Sequence, residues 1–282
     1  MSGTLFVVAT PIGNLEDITA RALRVLRESA VIAAEDTRRT AHLLARYAIT
    51  TPSTSLHEHN EDRKAASLIA RLERGDHVAL VSDAGTPTIS DPGQRLIQAA
   101  IRAGIRVESI PGPNAAVAAL AVSGFPAESF LFLGFPPIKS KDRAFWFQRA
   151  LHTAGTIVFY EAPHRIRETL ADFQRAVGDC EVAICRELTK AHEDLIRGRI
   201  SDVLESPFPA RGEFTVVANI GHVTNHAPIA ELSDSQALSE FSHMTENDGL
   251  TRRAAVSKLA KRHNVPANQV YASIERAKKS II

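Results

Sequence analysis

The sequence predicts an α/β fold: two α/β domains followed by a small C-terminal all-helical domain. Three observations carry that expectation. Short continuous apolar runs alternate with helical stretches through most of the 282 residues, the pattern of strands whose two faces are covered by helices. A break at GFPAES, residues 124–129, separates these runs into two sets. After NHAPIAEL the strand signal stops and three helical patterns follow.

In order along the chain, LFVVAT (Leu5 to Thr10) runs into Pro-Ile-Gly-Asn, and a helical pattern follows through Ile18, Leu23 and Leu26. VIAAED (Val31 to Asp36) repeats the design, with a helix through Leu43 and Leu44. HVALVSD and RVESIPG complete the first set, which is expected to form a domain over residues 1–123. FLFLGFP, TIVFYEAP, EVAICRE and FTVVANIG form the second, over residues 128–225. Burial on both faces reads as parallel strands throughout. The third piece, residues 230–282, has helical patterns at Asp234 to Thr245, Leu250 to His263 and Pro266 to Lys278. Gly249 with Thr251, and Asn264 with Pro266, mark stops and starts between them. Leu250, Val256, Leu259, Val265, Val270 and Ile274 can form a small helix-turn-helix core, leaving Arg252, Arg253, Lys258, Lys261 and Arg262 outward.

With 44% hydrophobic and 23% charged residues, the chain is globular and long enough for two cores. No run of eighteen apolar residues occurs, and no basic segment precedes the first apolar stretch, so a cytoplasmic protein is expected, without membrane span or secretion signal. Cys180 and Cys185, five apart on one expected strand, face opposite ways and read as packing residues. The net charge of +1 conceals a segregation. From Leu250 onward eight Lys and Arg stand against one acid, Glu275, whereas the preceding 249 residues carry 25 bases and 31 acids. A basic tail on an acidic body fits a polyanionic partner or a solvated helical face.

In an open α/β sheet, ligands sit beyond the carboxyl ends of the strands, where helix N-termini offer free N–H groups. Four such ends are rich in Gly, Pro and small polar residues: TPIGN (10–14), AEDTRRT (34–40), SDAGTPTISDPG (82–93) and IPGPNAA (110–116). Any one could be merely a good turn, with Asp91 capping the helix after Pro92; four together point to a site, with Asp83 presented at the end of its strand. Neither G-x-G-x-x-G nor G-x-x-x-x-G-K-[ST] is present, which disfavours a dinucleotide oxidoreductase, a P-loop enzyme and the glycine-rich methyltransferase fold.

These segments carry a resemblance. TPIGNLEDIT, AEDTRRT, LHEHNE, SDAGTPTISDPG, SIPGPNA, FLGFPP, FYEAPHR and GEFT, in that order over about residues 4–221, resemble the ribosomal RNA small subunit methyltransferase I family, in the tetrapyrrole methylase superfamily of S-adenosylmethionine enzymes. The tail resembles the C-terminal helical piece of many members. The resemblance implies a tetrapyrrole methylase-like fold with a deep inter-domain cleft that binds S-adenosylmethionine, and a homodimer. It implies methylation of the ribose 2′-hydroxyl of a decoding-centre cytidine, cytidine 1402, in 16S ribosomal RNA, with the 30S subunit as the expected partner. Carried onto matching positions, the cofactor contacts are Pro11; Asp83, Ala84, Gly85 and Thr86; Pro111, Gly112, Ala115 and Ala116; and Tyr160 with Glu161. The superfamily's frequent Gly-Asp-Pro turn is here Asp-Ala-Gly-Thr-Pro.

Methyl transfer from a sulfonium is an in-line displacement that alignment and desolvation accelerate, and it demands no metal. A ribose hydroxyl is a poor nucleophile, so a proton acceptor would help. Glu35 or Asp36 is expected in that role, although Asp36 also suits a helix N-cap. Arg38 and Arg39 are expected to engage phosphate, and Asn14, His57 and Asn60 to face RNA. His57, Glu58 and His59 invite a metal, but no further ligand cluster accompanies them and a polar substrate loop is the better reading. His164 and Arg165 stand at an expected helix start, suited to an anion or to solvent. The basic tail is read as an RNA clamp acting through phosphate attraction. Two rivals remain: C-methylation of a corrin or porphyrin precursor, which needs no basic clamp, and a helix-turn-helix regulator whose α/β body senses a metabolite.

Overall fold

The structure, a computed structural model, describes residues 2–57, 60–152, 155–207, 211–221, 233–246, 250–263 and 267–279. Met1–Gly221 form one compact unit and His222–Ile282 a second.

The first unit begins with β1 (Thr4–Val8), α1 (Ala20–Glu28), β2 (Val31–Ala34), α2 (Thr37–Arg46), β3 (Ser53–Ser55), α3 (Glu61–Glu73), β4 (Val78–Val81), α4 (Gln94–Arg102) and β5 (Arg106–Ile110). The strands pair in the order β3-β2-β4-β1-β5, all parallel. Alternation divides their apolar side chains between two layers. Val8, Ile32, Ala34 and Val81 meet α1 and α2 on one face; Leu5, Val31, Ala33 and Leu80 meet α3 and α4 on the other. Every residue of β2 and β4 is buried, as the uninterrupted runs VIAA and VALV require.

The unit continues through α5 (Ala115–Ser123), β6 (Phe130–Phe132), α6 (Ser140–Leu151), β7 (Thr156–Glu161), α7 (Ile166–Val177), β8 (Glu181–Arg186), β9 (Asp194–Arg199), α8 (Ile200–Glu205) and β10 (Phe214–Asn219). Here the parallel expectation fails. The order is β6-β7-β10-β8-β9 with only β6 and β7 parallel, and β10 runs antiparallel between β7 and β8. The apolar runs are explained equally well by this arrangement, because α6, α7 and α8 cover one face, Trp146, Phe173 and Val203 sharing a core with Phe159 of β7. Helix α5 covers the other through Ala116, Ala119 and Leu120, against Val158, Ala183 and Val217. That placement explains why α5 is apolar on all sides although it follows the first sheet in sequence. It starts at Asn114, whose side chain accepts from Val117 N at 3.2 Å, and ends at Gly124, where φ is +82°.

The second unit consists of α9 (Asp234–Glu246), α10 (Arg252–His263) and α11 (Ala267–Lys279), close to the three expected patterns. Ala237, Phe241, Met244, Ala255, Leu259, Val270 and Ile274 form its core, with Leu250 and Val256 at the margin. Val265 lies outside the described residues. Arg276 donates twice to Asp234, at 2.9 Å each, clasping α11 to the start of α9.

Candidate active site

Because all five strands of the first sheet are parallel, the four turn-rich loops leave its same edge. The segment Ser82–Thr86 ties them together. Thr10 N donates to Gly85 O at 2.9 Å and Gly85 N returns a bond to Thr10 O at 3.0 Å. The Thr86 hydroxyl donates to Pro113 O at 3.0 Å, and Asp83 Oδ1 accepts from Asp36 N at 2.9 Å. Gly85 has φ +79°, and a Cβ there would stand 3.3 Å from Ile12 Cγ2, so this crossing point requires glycine.

The second sheet brings its own edge to the same place. β10 begins where β7 and β8 end, with Phe214 opposite both Glu161 and Arg186. The loop after β8 reaches back to the first: Asn14 N donates to Thr189 Oγ1 at 2.9 Å. A Cβ on Gly13 would lie 2.5 Å from Lys190 Cγ and 2.8 Å from Leu188 O. Between the two edges lies a cavity of about 420 Å³, within the size range of small-molecule sites.

Seven of the eleven expected cofactor residues line it: Asp83, Ala84, Gly85, Thr86, Ala115, Tyr160 and Glu161. Pro11, Pro111, Gly112 and Ala116 are not among the lining residues: Pro11 and Ala116 are buried, and Pro111 and Gly112 are exposed. A Cβ on Gly112 would meet that of Ala9 at 3.0 Å, and Ala116 N donates to Tyr160 Oη at 3.2 Å. Tyr160 is further held by the Phe132 and Phe135 rings. Glu161 is 1% exposed, accepting from the Thr169 hydroxyl and from Ala162 N at 2.7 Å. Sequence reasoning missed Asp91, Phe135, Leu188, Phe214 and Thr215 in the wall. The GEFT segment was the signal for the last two, but a site built from parallel strand ends leaves no place for the start of a strand.

Of the two candidate proton acceptors, Glu35 lines the cavity together with Arg39. Burial, then the neighbouring Asp83 charge, raises the Glu35 carboxyl above the ordinary range. Asp36 caps α2, its side chain accepting from Arg38 N at 2.8 Å. The Arg38 guanidinium pairs with it at 2.8 Å, and these bonds hold its carboxyl at about 2. Arg39 reaches Asp83 at 3.4 Å.

Asp91 is not the helix cap that its position before Pro92 suggested. Gly93, with φ +121°, precedes α4 and supplies no side-chain cap. Glu61 from α3, 5% exposed, does that work, accepting from Gly93 N, Arg95 N and Leu96 N at 3.1, 2.8 and 3.2 Å. Asp91 instead faces the cavity. Its carboxyl is pushed up to about 6 by desolvation, then by the Glu35 charge, against a lowering hydrogen bond from Ser82. A second cavity of about 500 Å³ shares Glu35, Ser90 and Asp91 with the first and adds His57, Glu61 and Gln94.

The remaining expected RNA contacts are dispersed. The Asn14 side chain accepts from Glu16 N at 3.0 Å. His57 N donates to Asn60 Oδ1 at 3.0 Å, and the Asn60 amide meets His57 Nε2 at 2.9 Å, fixing the turn before α3. His164 is exposed, whereas Arg165 donates to Pro136 O at 2.7 Å and pairs with Glu161 at 3.6 Å. Arg252, Arg253 and Lys258 are exposed on α10; the side chains of Lys261 and Arg262, and residues Glu58 and His59, lie outside what is described. Among the described residues no group of three or more His, Cys, Asp and Glu is placed to hold a metal. Cys180 precedes β8 and Cys185 lies within it; burial pushes their thiols up to about 11 and about 12. No helix of the described residues is long and apolar enough to cross a membrane.

Comparison with known proteins extends this description. The sequence pattern of the Tetrapyrrole (Corrin/Porphyrin) Methylases matches residues 4–204. The ribosomal RNA small subunit methyltransferase I of Halalkalibacterium halodurans is 44% identical over 273 residues, 95% of this chain and 93% of that protein. The protein of the same name from Thermotoga maritima is 47% identical over 218 residues, 76% of this chain and 97% of its own length. Among solved structures, a uroporphyrin-III-C-methyltransferase from Thermus thermophilus superposes with a TM-score of 0.53 at 25% identity, covering 77% of this chain and 94% of that one. A diphthine synthase gives 0.61 at 14% identity, covering 77% and 90%. The matched pattern, the extent of identity and the two-sheet architecture place the chain in the ribosomal RNA small subunit methyltransferase I family of the tetrapyrrole methylases.

Proposed function

We propose that the protein is an S-adenosylmethionine-dependent methyltransferase that modifies the ribose 2′-hydroxyl of cytidine 1402 in 16S ribosomal RNA, acting on the 30S subunit as a cytoplasmic homodimer. The observation that carries this reading is the cavity between the two sheet edges, lined by the Asp83–Thr86 turn with Gly85, by apolar side chains and by carboxylates. The fit to the methyl donor is chemical. Phe135, Leu188 and Phe214 offer apolar surface for an adenine, Gly85 and the start of α5 offer close backbone approach, and Glu35, Asp83 and Asp91 suit a cation. When bound, S-adenosylmethionine supplies an activated methyl group.

The chain's own work is to orient, to exclude water and to receive a proton. The hydrogen-bonded loops fix the floor, so little reorganisation is needed as the reactants align. Glu35 is the better supported acceptor for the hydroxyl proton, since its raised carboxyl is more basic than that of Asp36, which is committed to Arg38 and the α2 cap. Arg38, exposed on the rim, and Arg39 suit phosphate contacts. The tail, with Arg252, Arg253 and Lys258 outward, suits accessory RNA attraction. An accessory role is supported by the Thermotoga maritima relative, which is matched along 97% of its length by only 76% of this chain.

The test is transfer of a labelled methyl group to unmodified 30S subunits, free 16S RNA and a corrin or porphyrin precursor in parallel. Label in RNA is expected. Label confined to the macrocycle would overturn the acceptor assignment.

A further inference from the structure

Asp91 has been freed from the task its sequence position implies. Glu61 satisfies the first amides of α4, so the helix does not need the Asp91 carboxylate. The backbone around it is nonetheless held in an uncommon state: Thr88 and Ser90 have φ +74° and +69°, in the left-handed region that non-glycine residues avoid. Such a loop is costly as a plain turn, and Asp91, which follows it, lines the wall common to the two cavities. On one side of that wall lies the cleft assigned above to the methyl donor. On the other, His57 and Gln94 line a polar cavity whose 500 Å³ can admit a nucleotide.

We infer that the second cavity receives the acceptor nucleotide, unpaired from the RNA, and that Asp91 is a catalytic carboxylate which, with Glu35, takes the proton of its 2′-hydroxyl. This rests on the methyltransferase reading of the first cleft. In the balanced step the hydroxyl O–H bond breaks as the O–CH3 bond forms. The proton passes to the carboxylate pair, and the electron pair of the donor's S–CH3 bond stays on sulfur. RNA enzymes that act on one nucleotide extrude it into such a pocket.

The charged and titratable groups around Asp91 are Glu35 at the end of β2, Asp83 after β4 with its partner Arg39 on α2, and Tyr160 on β7. From the second cavity come His57, Glu61 at the start of α3 and Arg95 on α4, the last paired with Asp62. Desolvation and Glu35 leave Asp91 protonated below about 6 and a competent base above it.

Single-turnover methyl transfer to 30S subunits by the full-length chain, measured from pH 5 to 8.5 for wild type and Asp91→Asn, tests this. Calorimetric titration of each with S-adenosylmethionine and with uncharged S-adenosylhomocysteine runs alongside. The wild-type rate should rise through about pH 6. Asp91→Asn should lower the rate at pH 7.5 by about 10²-fold or more, leave KM for the subunit unchanged, and flatten the profile. Affinity for the sulfonium should rise with pH in wild type, rise less in Asp91→Asn, and stay level for the homocysteine compound in both. An Asp91→Asn enzyme that binds the donor normally and retains the wild-type rate and profile overturns the inference while leaving the methyltransferase reading intact. Failure of the wild type to methylate any RNA overturns that reading and this inference with it.

Discussion

Glu35 and Asp36 are neighbours in sequence and opposites in electrostatic character. Glu35 is raised, chiefly by burial, while Asp36 is held at about 2, chiefly by the Arg38 hydrogen bond. A sequence can offer both as bases because nothing in Glu-Asp-Thr-Arg-Arg says which carboxylate turns inward. Glu35→Gln should therefore reduce kcat by about 10²-fold or more, a larger loss than the weakening of donor affinity read by calorimetry. Asp36→Ala should lower the melting temperature, through loss of the α2 cap, and leave kcat close to wild type. Asp91 supplies a stability test with a defined sign. Its folded carboxyl, at about 6, lies above the ordinary 3.8, so ionisation costs stability progressively as pH rises between those values. Asp91→Asn should thus melt higher than wild type at pH 7.5, by roughly 1 kcal/mol after allowance for solvent screening, and show no gain at pH 3.5. Neither the raised carboxyl nor the transfer of its capping role to Glu61 could be read from Ser-Asp-Pro-Gly, where Asp before Pro is an ordinary helix start.

Elements with uninterrupted apolar runs were the legible ones. VIAA and VALV are buried throughout, and only the middle of a covered sheet accommodates them. The polar strands β3, STS, and β9, DLIRGR, carry no such signal; they are edge strands whose exposed residues need not alternate cleanly. The direction of β10 was misread because burial on both faces does not distinguish a parallel strand from an antiparallel one enclosed by helices. Two substitutions test what holds these elements. Trp146 is 4% exposed, stacks edge-on against Phe159 and donates to Leu133 O at 3.0 Å. Trp146→Ala should cost about 3–5 kcal/mol in denaturant unfolding. Glu61→Ala should cost about 1–3 kcal/mol, since three amides at the start of α4, two of them in buried bonds, lose their acceptor.

At the scale of the whole molecule, the first unit builds the cleft from residues far apart in sequence, from Ile12 to Thr215. The loops were legible as a group because Gly, Pro and small polar residues recur at four strand ends; the contribution of Phe214 and Thr215 required the topology. The second unit carries charge of the opposite sense to the rest of the chain. Reversing Arg252, Arg253 and Lys258 to Glu in the full-length protein should weaken subunit binding and reduce the slope of log affinity against log salt by about 2–3. Donor affinity should not change.

The most direct measurement is nucleoside analysis by mass spectrometry of unmodified 30S subunits treated with the protein and S-adenosylmethionine. The account predicts 2′-O-methylcytidine, at one methyl per subunit and at the decoding-centre position, appearing with wild type and strongly diminished with Glu35→Gln. A methyl group found on the base, or none in the RNA while a corrin or porphyrin precursor is methylated, would contradict it.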